Sequence, residues 1–278
     1  MFDRQPRSDK RFILGHILSM RQFPPRRIVC LTEETVETLY LLGEQERIVG
    51  VSGYAVRPPQ VRREKPRVSA FISADIVKIL ALEPDLVLTF SDLQADISAN
   101  LIRAGVSVHT FNQRDVAGIL AMIRTLGALV GAAERADRLA TTYEERLARI
   151  AFIPRPSPKP RVYFEEWDDP LIGGIGWISE LIEIAGGEDI LPMLRFEQAA
   201  KNRIVSPDAV CAAKPDIILA SWCGKKVVPD KIKMRPGWSE LPAIRHNRIV
   251  EIKSSIILQP GPAALTDGLD AIVTALWP

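Results

Sequence analysis

The sequence predicts an α/β protein built as two α/β lobes with central parallel sheets, joined by a single long helix and leaving a ligand cleft between the lobes. Three observations carry this. Helical stretches capped by hydroxyls and closed by glycines alternate with short apolar strands. One such unit, a helix, a Pro-Asp turn and an apolar strand, occurs in both halves of the chain. Residues 132–151 form a long amphipathic stretch that stops at Pro154, Pro156, Pro158 and Pro160, where four backbone donors are missing.

Residues 1–25 are basic and polar, end in Pro24-Pro25, and are expected to be a loosely packed extension. Residues 27–31 read as a strand, 33–42 as a helix with Thr32 as its N-cap, and 47–51 as a second strand, with Gly43 closing the helix. A helix over 73–82 opens on a hydroxyl and turns through Glu83-Pro84-Asp85 into the apolar strand 86–90, a composition expected of a buried parallel strand. A helix over 93–104, Gly105 and a strand over 106–111 repeat the pattern, and a helix over 116–130 completes the first lobe, residues 26–131. In the helix 132–151, Ala136, Ala140, Tyr143 and Leu147 share a stripe, while Glu134 and Arg138 pair four residues apart.

The second lobe, residues 152–278, restarts the pattern with a strand over 161–164, a glycine-rich loop, a helix over 178–185 and the Gly186-Gly187 cap. Residues 206–219 then repeat 73–88: a capped helix, Pro215-Asp216 in place of Pro84-Asp85, and an apolar strand. A strand over 248–252 and a helix over 263–276 close the chain.

Composition excludes several classes. Apolar residues make up 47% and charged residues 25%, as in soluble globular chains, and 36 basic against 34 acidic residues leave a net charge of +2. The basic pairs Arg26-Arg27 and Arg62-Arg63 are too short for a phosphate-tracking stripe, so no nucleic-acid partner is expected. Cys30, Cys211 and Cys223 have neither disulfide nor zinc spacing and read as buried thiols. The apolar run 12–20 is broken by Gly15 and His16 and lacks a cleavage site, which predicts a cytoplasmic protein, or a periplasmic one if the true start lies upstream. His16, His109 and His246 show no metal-like spacing, and there is no nucleophile elbow or Walker loop. Residues 173–176 lack the dinucleotide fingerprint, so no enzyme, no metal site and no cofactor of its own are expected.

Three segments taken together, ETLYLLG at 37–43, ILALEPDLV at 79–87 and ELIEIAGGEDI at 180–190, make the chain resemble the substrate-binding proteins of ABC importers for vitamin B12, iron-siderophores and haem. The run 166–171 after the first strand of the second lobe is similar to the corrinoid-binding branch. The resemblance implies a monomer that captures a corrinoid, or another bulky metal chelate, between its lobes and hands it to an ABC permease. A cytoplasmic enzyme or a metal or cofactor chaperone on the same fold is the alternative. It also implies permease docking through an acidic residue on each lobe. Asp208 stands seven residues before Pro215, but the matching place before Pro84 is Val77, with Asp75 two positions away.

In open α/β sheets ligands sit beyond the carboxyl ends of the strands. That places the first-lobe candidates at Thr32, Glu33, Tyr54, Phe71, Ser91 and Asp92, and the second-lobe candidates at Glu166, Trp167, Trp222 and Gln259. Tyr54, Phe71, Trp167 and Trp222 suit the flat, partly apolar faces of a macrocycle, although either tryptophan also reads as a plug for its lobe end. Glu165, Glu166, Asp168 and Asp169 read equally as acceptors for a ligand or as a solvated loop, and Trp177 reads as core.

Overall fold

Two sheets organise the chain, one all parallel and one mixed, each wrapped by the helices that connect its strands. The computed structural model describes residues 23–278; the expectations for the run 12–20 and for most of the extension 1–25 lie outside the described residues. The first sheet contains β1 (Ile28–Cys30), β2 (Ile48–Ser52), β3 (Arg67–Ser69), β4 (Leu86–Phe90) and β5 (Val108–Phe111), in the order β3-β2-β1-β4-β5, all parallel. Its crossovers are α1 (Glu33–Leu41), α2 (Val61–Glu64), α3 (Ile76–Leu80) and α4 (Ala95–Arg103), and β4 is buried along its whole length, as a central parallel strand must be. α5 (Val116–Leu129) and α6 (Ala133–Ala151) follow.

The second sheet runs β10-β9-β6-β7, from β6 (Arg161–Asp168), β7 (Leu171–Gly173), β9 (Ile217–Ala220) and β10 (Ile249–Glu251). A two-residue strand, β8 (Glu188–Asp189), pairs with the start of β6, while β7 runs antiparallel to its end. The helices here are α7 (Gly176–Ile184), α8 (Pro207–Ala213), α9 (Pro229–Lys233), α10 (Pro242–Arg245), α11 (Ser254–Ile257) and α12 (Leu269–Leu276), the last entered through a π-helical turn at Ala264–Gly268.

The repeated Pro-Asp turn has a physical job. In the first lobe the Asp85 carboxylate accepts the backbone N–H groups of Arg26 (2.7 Å) and Arg27 (2.9 Å), while the Asp85 N–H donates to the Arg27 carbonyl (2.9 Å). In the second, Asp216 accepts from the Arg161 N–H (2.8 Å) and its own N–H returns to the Arg161 carbonyl (2.8 Å). Each aspartate thus ties the entry of its lobe's leading strand to the start of the neighbouring strand and satisfies donors that the ladder leaves open.

Several expectations need correction. α3 is opened by Asp75, whose Oδ1 accepts from the Lys78 N–H (2.9 Å), and not by Ser73; the Ser206 hydroxyl does cap α8, accepting from the Ala209 N–H (3.1 Å). Thr32 occupies the N-cap of α1 without a capping bond, because its hydroxyl meets that of Thr35 (3.2 Å). β6 continues through Asp168, so Glu165, Glu166 and Trp167 lie on a strand and not in a loop. Of the three cysteines only Cys30 is buried; Cys211 is partly covered and Cys223 is exposed.

The long helix starts one residue later than expected and packs along α5. Gly127 makes the contact possible: a Cβ there would lie 2.1 Å from the Ala136 Cβ. One apolar core results, running from Ile28, Leu39 and Leu88 of the first lobe through Ile123, Leu126, Ala136, Ala140 and Leu147 to Ile178, Leu181 and Leu276 of the second. A second cluster, around Tyr163, Trp222 and Trp238, fills the other face of the second sheet.

Candidate functional site

The carboxyl ends of β1 to β5 open toward the second lobe, and one buried amide fixes their spacing. Gln94 Oε1 accepts from the Phe90 N–H (3.0 Å), and its Nε2 donates to the carbonyls of Leu31 (3.1 Å) and Phe71 (2.7 Å), so three strand ends are joined by a single side chain. Beside it Ser91 sits at φ 56°, ψ −177°, a region that residues other than glycine rarely occupy, held by its N–H on the Phe111 carbonyl (2.8 Å) and its hydroxyl under the Leu93 N–H (3.3 Å). Tyr54, 53% exposed, and the partly buried Phe71 stand on the neighbouring loops.

The first turn of α1 forms the seam with the second lobe. Glu33 is buried, and one of its carboxylate oxygens accepts from the Ser52 hydroxyl (2.8 Å) while the other has no hydrogen-bond partner. Glu34 is buried too, with Oε1 unpartnered, and it packs so closely on the second lobe that a Cβ on Gly261 would lie 2.4 Å from the Glu34 Cβ. Burial, reinforced by the neighbouring Glu33 charge, pushes the Glu34 carboxyl up to about 8; burial also raises Glu33. Around them the lobes are cross-linked by polar bonds. Gln113 Nε2 donates to the Pro260 carbonyl (2.9 Å), the Val116 N–H to Glu180 (2.7 Å), and Arg57 bridges Glu37 (3.1 Å) and Asp267 (2.8 Å).

Across the cleft, the acidic run on β6 is matched by cations. Arg235 grips both oxygens of Glu165 (2.6 and 2.8 Å), which also accept from the Trp222 indole N–H (2.9 Å). Arg203 pairs with Glu166 and donates to the Gly173 carbonyl (2.9 Å). Lys225 pairs with Asp168 and lies over the rings of Trp167 (3.9 Å) and Trp222 (5.1 Å). Burial alone would raise Asp168, but the Lys225 ammonium outweighs it and holds the carboxyl below the usual range. These carboxylates therefore have partners within the protein, and neither the solvated-loop nor the ligand-acceptor reading describes Glu165 or Asp168. Among the described residues no group of three His, Cys, Asp or Glu side chains is arranged to hold a metal.

The sequence candidates divide accordingly. Tyr54, Phe71, Asp92, Glu166, Trp167 and Gln259 keep some exposure, and Trp167 donates its indole N–H to the Asp169 carbonyl (2.9 Å). Thr32, Glu33, Ser91 and Trp222 are buried: Thr32 wholly, Glu33 and Ser91 almost so, and Trp222 inside the second-lobe core. Trp177 is core as expected, its indole donating to the Ile257 carbonyl (2.9 Å). An open depression of about 420 Å³ touches Ser91 and Asp92 but is otherwise lined by α4, Thr110 of β5 and Asn112, at the sheet's edge. Sequence reasoning missed Gln113 and Arg114, although they follow β5 and the strand-end rule points to them as it does to the loops after β1 and β4.

A family model described as "Periplasmic binding protein" matches residues 28–256. The chain belongs to this family. Among curated relatives, this chain is 25% identical to the uncharacterized ABC transporter substrate-binding lipoprotein YvrC of Bacillus subtilis, over 91% of this chain and 81% of that one. It is 24% identical to the vitamin B12-binding protein of Vibrio parahaemolyticus, over 89% of this chain and 88% of that one. Among solved structures it superposes on a periplasmic heme-binding protein of Pseudomonas aeruginosa with a TM-score of 0.79 at 23% identity, covering 91% of this chain and 93% of that one. The periplasmic heme-binding protein RhuT of Roseiflexus sp. RS-1 gives a TM-score of 0.75 at 26% identity, over 90% and 99% of the two chains. Two α/β lobes with a parallel sheet are thus the architecture this chain has in common with its solved relatives.

Proposed function

We propose that this chain captures a corrinoid of the cobalamin type, or a comparably bulky metal chelate, between its lobes and presents it to an ABC-type importer. The observation that carries this is the pairing of a braced, aromatic-edged cleft with a relative named for vitamin B12 that aligns along almost the whole chain. Tyr54 and Phe71 face the ligand from the first lobe and Trp167 from the second, burying its flat surfaces, while Glu33, Ser91, Asp92, Glu166 and Gln259 border the site. No bond is made or broken. Relatives named as a lipoprotein and as periplasmic proteins favour work outside the cytoplasm over the cytoplasmic expectation. Asp208, exposed in the first turn of α8, is the better permease contact; the Asp75 carboxylate is also exposed but is engaged in capping α3. The protein works as a monomer in this scheme.

Haem is the second ligand reading, favoured by the two heme-binding structures above. Incubating the protein with cobalamin, haem and a ferric siderophore, desalting, and recording absorption spectra separates the two. Retention of the corrinoid spectrum at one equivalent supports the proposal. Retention of haem alone moves the assignment to a porphyrin, and retention of neither, with the siderophore kept, overturns both.

A further inference from the structure

Three cations of the second lobe end on a carboxylate of β6 at hydrogen-bond distance: Arg235 on Glu165, Arg203 on Glu166 and Lys225 on Asp168. Arg114 does not. It follows β5, its Nε donates to Asn112 Oδ1 (3.1 Å), and its guanidinium lies over the Phe90 ring at 5.0 Å. Its nearest carboxylate oxygen, Asp92 Oδ1, is 3.7 Å from Nη2, beyond a hydrogen bond, on a side chain that is 82% exposed. The Arg114 side chain itself is only 23% exposed. Burial pulls its pKa below the usual value, and the Arg203 charge nearby works in the same direction. A guanidinium three-quarters removed from water, one face on an aromatic ring and its outer nitrogens without a hydrogen bond among the described residues, is poised for a two-oxygen anion.

Resting on the chelate-binding proposal above, we propose that Arg114 is a specificity-determining residue that seats an anionic oxygen group of the ligand, so that the cleft selects chelates bearing a phosphate or a carboxylate over uncharged ones of the same shape. Asp92 holds the place when the cleft is empty and swings into solvent when the ligand anion arrives. Arg203, fixed by Glu166 and the Gly173 carbonyl, adds positive potential without itself moving.

Two ligand pairs test this and distinguish the sources. Cobalamin carries a nucleotide phosphodiester that cobinamide lacks; haem carries two propionates that its dimethyl ester masks. Affinities of the parent, Arg114→Gln, Arg114→Lys and Asp92→Asn are measured for all four at low and high salt, with melting temperatures alongside. The expected result is a loss of at least tenfold in Arg114→Gln for the anion-bearing member of one pair and no change for the partner that lacks the anion. Arg114→Lys should fall between, because it keeps the charge and loses the fork, and Asp92→Asn should bind the anion-bearing member more tightly. A loss confined to cobalamin identifies phosphate, and one confined to haem identifies carboxylate. Equal losses for both members of each pair, or a parent that binds the members of each pair equally, overturn the Arg114 assignment and leave the chelate reading standing. Failure of the parent to bind any of the four overturns the corrinoid and haem assignments, and this inference with them.

Discussion

Replacing Glu34 by glutamine tests the account of the seam between the lobes. The carboxyl is buried, packed against Gly261, and pushed up to about 8 from an unfolded value near 4.5. Below pH 4.5 it is protonated in both states and places no charge in the seam. As pH rises, the unfolded chain ionises first while the folded one still holds its proton, so stability falls until the folded group ionises near 8 and is flat beyond. At about 1.4 kcal/mol per pH unit that interval sets a ceiling of about 5 kcal/mol. Glu33 shares the site and burial raises it as well, so part of the effect belongs to the pair. Glutamine keeps the shape and never ionises. In urea melts at pH values from 5 to 9, Glu34→Gln should match the parent at the acid end and exceed it by about 2–4 kcal/mol at pH 9. A difference between the two proteins that does not grow with pH would refute the reasoning, since other titrating groups cancel in the comparison.

Three further outcomes are expected. Trp222→Ala should destabilise the fold by about 3–5 kcal/mol in denaturant melts, since it empties a core site and strips Glu165 of a donor, whereas Trp167→Ala should leave stability nearly unchanged and weaken corrinoid binding about tenfold in titrations. Gly127→Ala should lower stability by about 1–3 kcal/mol and shift the packing of α5 on α6, visible as near-ultraviolet dichroism changes, because its new methyl overlaps Ala136. Asp85→Ala should cost more than Asp216→Ala in parallel melts, about 2–3 against about 1–2 kcal/mol, because Asp85 accepts two strand-entry N–H groups and Asp216 one.

The frame of both lobes was legible because it is written in local chemistry. Pro84-Asp85 and Pro215-Asp216, the apolar strands, and Gly43, Gly105 and Gly186, all with positive φ, are patterns a few residues long. β3 and β7 were not legible. Each has only three residues, too few for an alternation to stand out from the sequence, and each exists because a neighbour, Val51 for β3 and Glu165 for β7, lends it a ladder. The charged end of β6 looked like a loop for a related reason, since its neutralising partners Arg203, Lys225 and Arg235 lie 37 to 70 positions along the chain. Trp222 follows a strand as a cleft residue would, and only the Glu165 carboxylate beneath its indole decides that it faces inward. Thr32 likewise turned inward, toward Thr35. Gln94 falls at the start of the helix expected over 93–104, but its three bonds reach two other strand ends that no spacing rule links to it.

The apolar core that passes from one lobe into the other through α5, α6 and α7 bears on how cargo leaves. Parting the lobes along that line would expose the flanks of Leu126, Ala136, Leu147 and Ile178, the same surfaces whose burial keeps the chain folded. Loading and unloading therefore act on a frame that keeps its shape: gaping along this line costs buried apolar surface, so the two lobes carry the cleft as one rigid piece.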